Sequence, residues 1–272
     1  MLITSWLGRL TRTFECAFSK SISRRTRRRH PTALRFLTNS QIECLEDRAL
    51  LSAVVGASID VASHRLLIFD PSTGTQTGLV TIPNSSSNSD IVISPDGTFA
   101  YVSNFNERQI YVVDLGTKAL ATGVNPIPVA TQAEDLAITP DGKYLLVVDG
   151  SGLNPIVVVD TATRATASTL SDGIGHSAVD VTAAGDVLVG TVNNGTTRRY
   201  LIDGAGQLSF TGQTISNGGQ NVTAAPNGVT AIEAGGSAIT SFAISGMSPT
   251  ATVSPGGNLQ SFALSPDGSK LY

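Results

Sequence analysis

One turn limits what this chain can fold into. "SPDG" at residues 94–97 joins two apolar runs, returns as "TPDG" at 139–142, and appears again as "SPDG" at 265–268. Between these copies the same place is held by "TAAG" (182–185) and "APNG" (225–228). Aligned on the glycines Gly97, Gly142, Gly185, Gly228 and Gly268, the spacings are 45, 43, 43 and 40 residues. An apolar run ending in aspartate keeps the same beat: "LLIFD" to Asp70, "IYVVD" to Asp114, "IVVVD" to Asp160 and "YLID" to Asp203, spaced by 44, 46 and 43. In the last repeat "SFAISG" (241–246) takes that place without the aspartate. Two independent anchors on one period define a repeat of forty-odd residues.

Each unit reads as four short strands, in the best copy "DIVIS" (90–94), "FAYVSN" (99–104), "QIYVVD" (109–114) and roughly 121–129. Charged residues are only 14% of the chain while glycine reaches 27 residues, a mix that suits turns and strands. Pro95, Pro140 and Pro266 preset φ for the turn. Asp96, Asp141 and Asp267 can bond their own backbone, and Gly97, Gly142 and Gly268 supply the positive φ that closes it. A four-stranded sheet of this size leaves both faces bare. Radial stacking of such sheets covers them, so the predicted fold is an all-β propeller.

Residues 93–120 and 138–170 resemble the YVTN-type β-propeller repeat proteins, and the resemblance extends over roughly 54–272. Such repeats are also similar to lactonase-type propellers and to the propeller of the cytochrome that carries haem d1. The resemblance implies a fold more than an activity. It divides the chain into a basic region at 1–53 and a propeller at 54–272. The expected blades lie at about 54–82 (partial), 90–129, 133–170, 176–215, 220–253 and 259–272 (partial). Two readings of the ring follow. In one the ring is open, part of a longer propeller of six to eight blades. In the other the strand at 259–265 completes the first partial blade and closes a five-bladed ring. The surplus "SKLY" (269–272) favours the open ring.

Charge separates the two regions. Residues 1–50 carry ten Lys and Arg against four acids, and the remainder carries eight against seventeen. Both cysteines, Cys16 and Cys44, lie in the basic part, so the propeller owes nothing to disulfides or thiolates. "SRRTRRRH" (23–30) has no aromatic company, which argues against nucleic acid as a partner. No apolar stretch approaches the roughly 20 residues that span a bilayer. The arginine run followed by Glu43, Leu45, Glu46, Asp47, Arg48, Leu50, Leu51 and Ser52 resembles the N-terminal region of many exported Planctomycetes proteins. That resemblance implies export to the envelope or outside.

Chemistry-bearing residues are sparse. His30, His64 and His176 share no metal-ligand spacing and read as surface or loop residues. No G-x-S-x-G elbow and no phosphate loop occurs. Arg198 and Arg199 read as solvated charges that guard a strand edge. The starts of the inner strands converge on a central channel, at Asp90, Asp135, Ala178, Asn221 and Ser261, with Glu134 and Asp180 adjoining. Asp90, Glu134, Asp135, Asp180 and Asn221 are therefore the candidate ligand-binding residues. Two roles compete for the carboxylates: contact with a Ca²⁺ ion or polar ligand, or hydrogen bonds to backbone amides of adjacent loops. No catalytic residue, resident metal or cofactor is expected. The expected function is that of an exported, non-enzymatic propeller binding an unidentified protein or carbohydrate at the cell surface. The alternative is a lactonase-like hydrolase of sugar lactones at the channel mouth.

Overall fold

The computed structural model describes residues 55–271, apart from 61–62, 84–87, 151, 153–154, 193–194, 217–218, 257–261, 263 and 266–267. The basic region with its export motif, Ser261, Pro266 and Asp267 lie outside the described residues.

Twenty strands form five antiparallel sheets. Blade 1 holds β1 (Gly56–Asp60), β2 (Arg65–Asp70) and β3 (Thr75–Thr81). Blade 2 holds β4 (Asn88–Ile93), β5 (Phe99–Asn104), β6 (Gln109–Asp114), β7 (Ala119–Leu120) and β8 (Ile127–Pro128). Blade 3 runs β9 (Asp135–Ile138), β10 (Tyr144–Val148), β11 (Ile156–Asp160) and β12 (Ala165–Leu170). Blade 4 runs β13 (His176–Val181), β14 (Asp186–Thr191), β15 (Thr196–Ile202) and β16 (Leu208–Ser216). Blade 5 runs β17 (Asn221–Ala224), β18 (Thr230–Gly235), β19 (Ala238–Ala243) and β20 (Ser248–Val253). The first strands of blades 2 to 5 are neighbours in space, β4 beside β9, β9 beside β13 and β13 beside β17. They wall a central channel. Among the described residues no sheet joins blade 1 to blade 5, and the ring is open. Beyond blade 5 only a single bridge, Leu264 to Leu271, is formed. Among the described residues no helix is long and apolar enough to cross a membrane.

The continuous apolar runs are strands buried on both faces. On β5, Ala100 and Val102 pack towards Leu66 and Ile68 of blade 1, while Tyr101 packs towards Leu145 and Val147 of blade 3. On β10 the alternation repeats, with Leu146 and Val148 meeting Val187, Val189 and Tyr200 of blade 4. Between blades 4 and 5 the core is Leu188, Ile215, Ala231 and Phe242. Each blade thus hides its apolar faces against its neighbours rather than inside itself.

The repeated turn has one construction. The Gly97 N–H donates to the Ser94 carbonyl (2.8 Å) with Gly97 at φ +71°. Asp96 Oδ1 accepts from the Ser94 hydroxyl (2.6 Å) and the Thr98 N–H (3.0 Å). Asp141 repeats this with Thr139 (2.5 Å) and Lys143 (3.0 Å). The decayed copies keep the closure, since Gly185 and Gly228 donate to the carbonyls of Thr182 and Ala225. Gly268 does likewise to Ser265 at 2.8 Å. After the third strands, Asp70, Asp114, Asp160 and Asp203 each accept a backbone N–H two or three residues on, all at 2.8 Å.

One expected strand is broken. Residues 121–129 do not form a single fourth strand, and on the side of β6 away from β5 the pairing strands are the two-residue β7 and β8. Between them the Asn125 side chain takes the place of a strand backbone. Its Oδ1 accepts from the Val112 N–H (3.0 Å), and its Nδ2 donates to the carbonyls of Val112 (2.7 Å) and Ala121 (3.0 Å). Pro126 and Pro128 bring no N–H to a ladder, so a side-chain amide supplies one.

Candidate functional site in the central channel

The parallel first strands bring Asp90, Asp135, Asp180 and Asn221 to one cavity of about 390 Å³, closed on one side by Thr223 and Phe262. Four of the five candidate residues therefore share a wall. Glu134 does not join them: its Oε2 accepts the Gly150 N–H at 2.7 Å, so it belongs to the loop after β10. Its neighbour in a strand must face the other way, which is why only one of the pair can line the channel.

The three aspartates form a staircase between blades. Asp90 Oδ2 accepts the Leu136 N–H of blade 3 (3.0 Å), and Asp135 Oδ2 accepts the Val179 N–H of blade 4 (2.7 Å). Asp180 Oδ2 accepts the Ala224 N–H of blade 5 (2.7 Å). Turn alignment puts Ala178, not Asp180, in register with Asp90 and Asp135. Asp180 nevertheless performs the same bond from two positions along, on the same face of its strand. The first strands of blades 2, 3 and 4 thus each offer a carboxylate to an amide that has no ladder partner on the channel side.

Burial in the wall raises the pKa of Asp90 and of Asp180, outweighing the backbone N–H bonds they accept. Asp135 stands well above the usual carboxylate range, first through burial and then through the nearby Asp90 charge. The Asp90 and Asp135 carboxyl groups also interact directly, a contact that works to raise the Asp135 pKa and to lower that of Asp90. Each aspartate of the wall already gives one oxygen to an amide, where a Ca²⁺ ion takes six or more oxygens. Among the described residues no group of three or more His, Cys, Asp or Glu side chains could hold a metal ion.

A second polar cluster escaped the sequence reading. His176 is fully buried at the start of β13, not a surface residue. Its Nε2 lies 3.2 Å from Asp172 Oδ1. Asp172 Oδ2 also accepts from the Tyr200 hydroxyl (2.7 Å) and from Arg198 (3.1 Å). Arg198 stacks over Phe210 as well, 4.9 Å from the ring centre. Burial alone would raise the Asp172 pKa, but the Tyr200 hydroxyl and His176 outweigh it and leave it lowered. Arg199 pairs with Asp186 at 2.8 Å and donates to Gln213. Both arginines are thus held in ion pairs rather than standing as free edge charges, because β15 is covered by β16. Strand alternation places Arg198 and Tyr200 on one face. Their meeting with Asp172, in the loop before β13, has no local signal. The cluster ties that loop to blade 4, and the enclosed His176 Nδ1 offers no exposed base.

Comparison with known proteins bears on the fold. The model of the family described as "Lactonase, 7-bladed beta-propeller" matches residues 67–183, from β2 of blade 1 to just past β13 of blade 4. The fold is a β-propeller, and this stretch of it is lactonase-like. A solved structure of a functionally unknown protein from Desulfotomaculum acetoxidans superposes on 80% of this chain and 71% of its own, with TM-score 0.70 and 20% identity. Dihydro-heme d1 dehydrogenase NirN, in complex with DHE, superposes on 76% of this chain and 45% of its own, with TM-score 0.62 and 12% identity. Kuenenia stuttgartiensis hydrazine synthase covers 80% and 69%, with TM-score 0.58 and 20% identity. No curated protein matches by sequence. At these identities the likeness is one of fold, and enzymes share it.

Proposed function

We propose that this propeller is an exported, non-enzymatic binding module that takes a neutral, hydroxyl-rich ligand such as a carbohydrate at the channel mouth. The observation that carries this reading is the use of the channel carboxylates. Each gives an oxygen to a main-chain amide of the next blade, and burial raises the pKa of all three. Such a wall offers carboxyl oxygens fixed in place as acceptors, which suits the hydroxyls of a polar ligand. Asn221, at the start of β17, adds an amide to the same wall. The arginine run and the Glu43–Ser52 motif support export.

Titration calorimetry with a panel of neutral oligosaccharides and sugar lactones tests the reading, with hydrolysis of the same lactones followed in parallel. Saturable binding that Asn221→Ala weakens tenfold or more, without turnover, is the expected result. Turnover of a lactone that Asp90→Asn abolishes would replace the binding module with a hydrolase.

A further inference from the structure

The staircase of carboxylates has a consequence for the ring that does not depend on any ligand. Asp90, Asp135 and Asp180 are the points at which the first strands of blades 2, 3, 4 and 5 are joined by side chains across the channel wall. They share one cavity of about 390 Å³, so each feels the charge of the next. The first strands packed there bring no compensating cation. β4 brings Asp90, and β9 brings Asp135, with Glu134 turned to Gly150. β13 brings Asp180, with His176 bound to Asp172 at the strand's start. β17 brings Asn221 and Thr223, both neutral, and Phe262 closes the wall. No lysine or arginine lines the cavity among the described residues.

We infer that the inner-strand aspartates are a pH-sensitive latch on the ring, closed by a proton shared between Asp90 and Asp135 and loosened when that proton is lost. With the proton in place, Asp135 keeps a carbonyl-type oxygen for the Val179 N–H while its hydroxyl bonds Asp90. Without it, two buried carboxylates face each other with no cation between them, and blades 2, 3 and 4 are pushed apart at the channel. The sign follows from the raised Asp135 pKa. The stabilisation is fully present below about 3.8 and is lost as pH rises through the higher folded-state value. The turn aspartates, with lowered pKa values, have the opposite slope, so the latch is read as a difference between variants.

Asp135→Asn keeps an acceptor for Val179 and a donor for Asp90 but cannot ionise. Thermal melting from pH 3 to 8.5 should give wild type and Asp135→Asn the same Tm at the acid end. At the alkaline end the variant should melt about 3 °C or more above wild type. Exchange of the Val179 amide should speed up with pH, beyond its intrinsic rate, in wild type and not in the variant. Asp90→Asn removes the facing charge by the other route and should flatten the same difference, which keeps the test open if Asp135→Asn does not fold. Parallel melting curves across the range for the variants that fold would overturn the latch. So would Ca²⁺ raising the wild-type Tm at pH 8.5 while leaving Asp135→Asn unmoved, since that outcome assigns the pair to a cation.

Discussion

Gly142 meets two demands at once. Its φ of +73° lies where L side chains are strained, and a Cβ there would stand 3.4 Å from Cδ of Pro95 in the preceding blade's turn. Gly268 meets Pro226 in the same way at 3.3 Å, so the turns of successive blades stack on one another. Gly142→Ala should therefore cost about 1–2 kcal/mol, read from urea unfolding midpoints. The aspartate beside it acts through the backbone. The Thr139 hydroxyl and then the Lys143 N–H hold the Asp141 pKa below its usual value. A depressed carboxylate contributes stability that is present above its unfolded pKa and lost as pH falls through the folded one. Asp141→Ala should lower stability by about 1 kcal/mol at pH 7 and by almost nothing near pH 2.5, as comparison of melting curves at the two pH values would show. "SPDG" and "TPDG" thus spell a turn whose acid serves its own backbone.

At the scale of elements, the fourth strand of blade 2 shows what a side chain can replace. Asn125 makes three bonds to the main chain where a regular strand would make ladder bonds. Asn125→Ala leaves the Val112 amide and carbonyl without them, and a loss of about 2–3 kcal/mol is expected by equilibrium unfolding. Asn125→Asp should fare nearly as badly, because it keeps the acceptor and loses both donations. The prolines at 126 and 128 made a continuous strand a poor expectation, but the amide's rescue of Val112 depends on a bond across 13 residues. The inner strands differ in kind. Their aspartates recur at 90, 135 and 180, evenly spaced in the sequence, yet alignment on the turns breaks that regularity because Asp180 stands two residues nearer its turn than Asp90 and Asp135 do.

Across the molecule, the middle strands of the blades are the most deeply buried and the outermost strands the least. β10 is buried at every position, whereas β20 is exposed at every position. Hydrogen exchange should follow that grade, with Leu145–Val148 and Val157–Val159 slowest and Ser248–Val253 among the fastest strand amides. If β20 exchanges as slowly as β10, its outer edge is covered in solution. The open ring adds a second contrast. Leu67 and Phe69 of β2 are half-buried on the face of blade 1 that has no neighbouring blade, while Leu66 and Ile68 on the other face are sealed by blade 2. The same strand therefore has one face that is core and one that is surface, and the period-2 pattern does not distinguish them.

The sequence by itself determined the blade. Turn glycines at 97, 142, 185 and 228, aspartates closing the third strands, and apolar runs too uniform for a solvent-facing sheet are local requirements of backbone geometry and strand burial, so they stand in the chain in order. Tertiary structure alone decided what the channel residues touch. Asp135 and Glu134 are neighbours in sequence, but one faces the carboxylates of two other blades and the other a loop amide. Asp172, His176, Arg198 and Tyr200 join across two strands and a loop. Such contacts arise from the sum of strand register, blade twist and loop path over more than forty residues. No short stretch of sequence carries that sum.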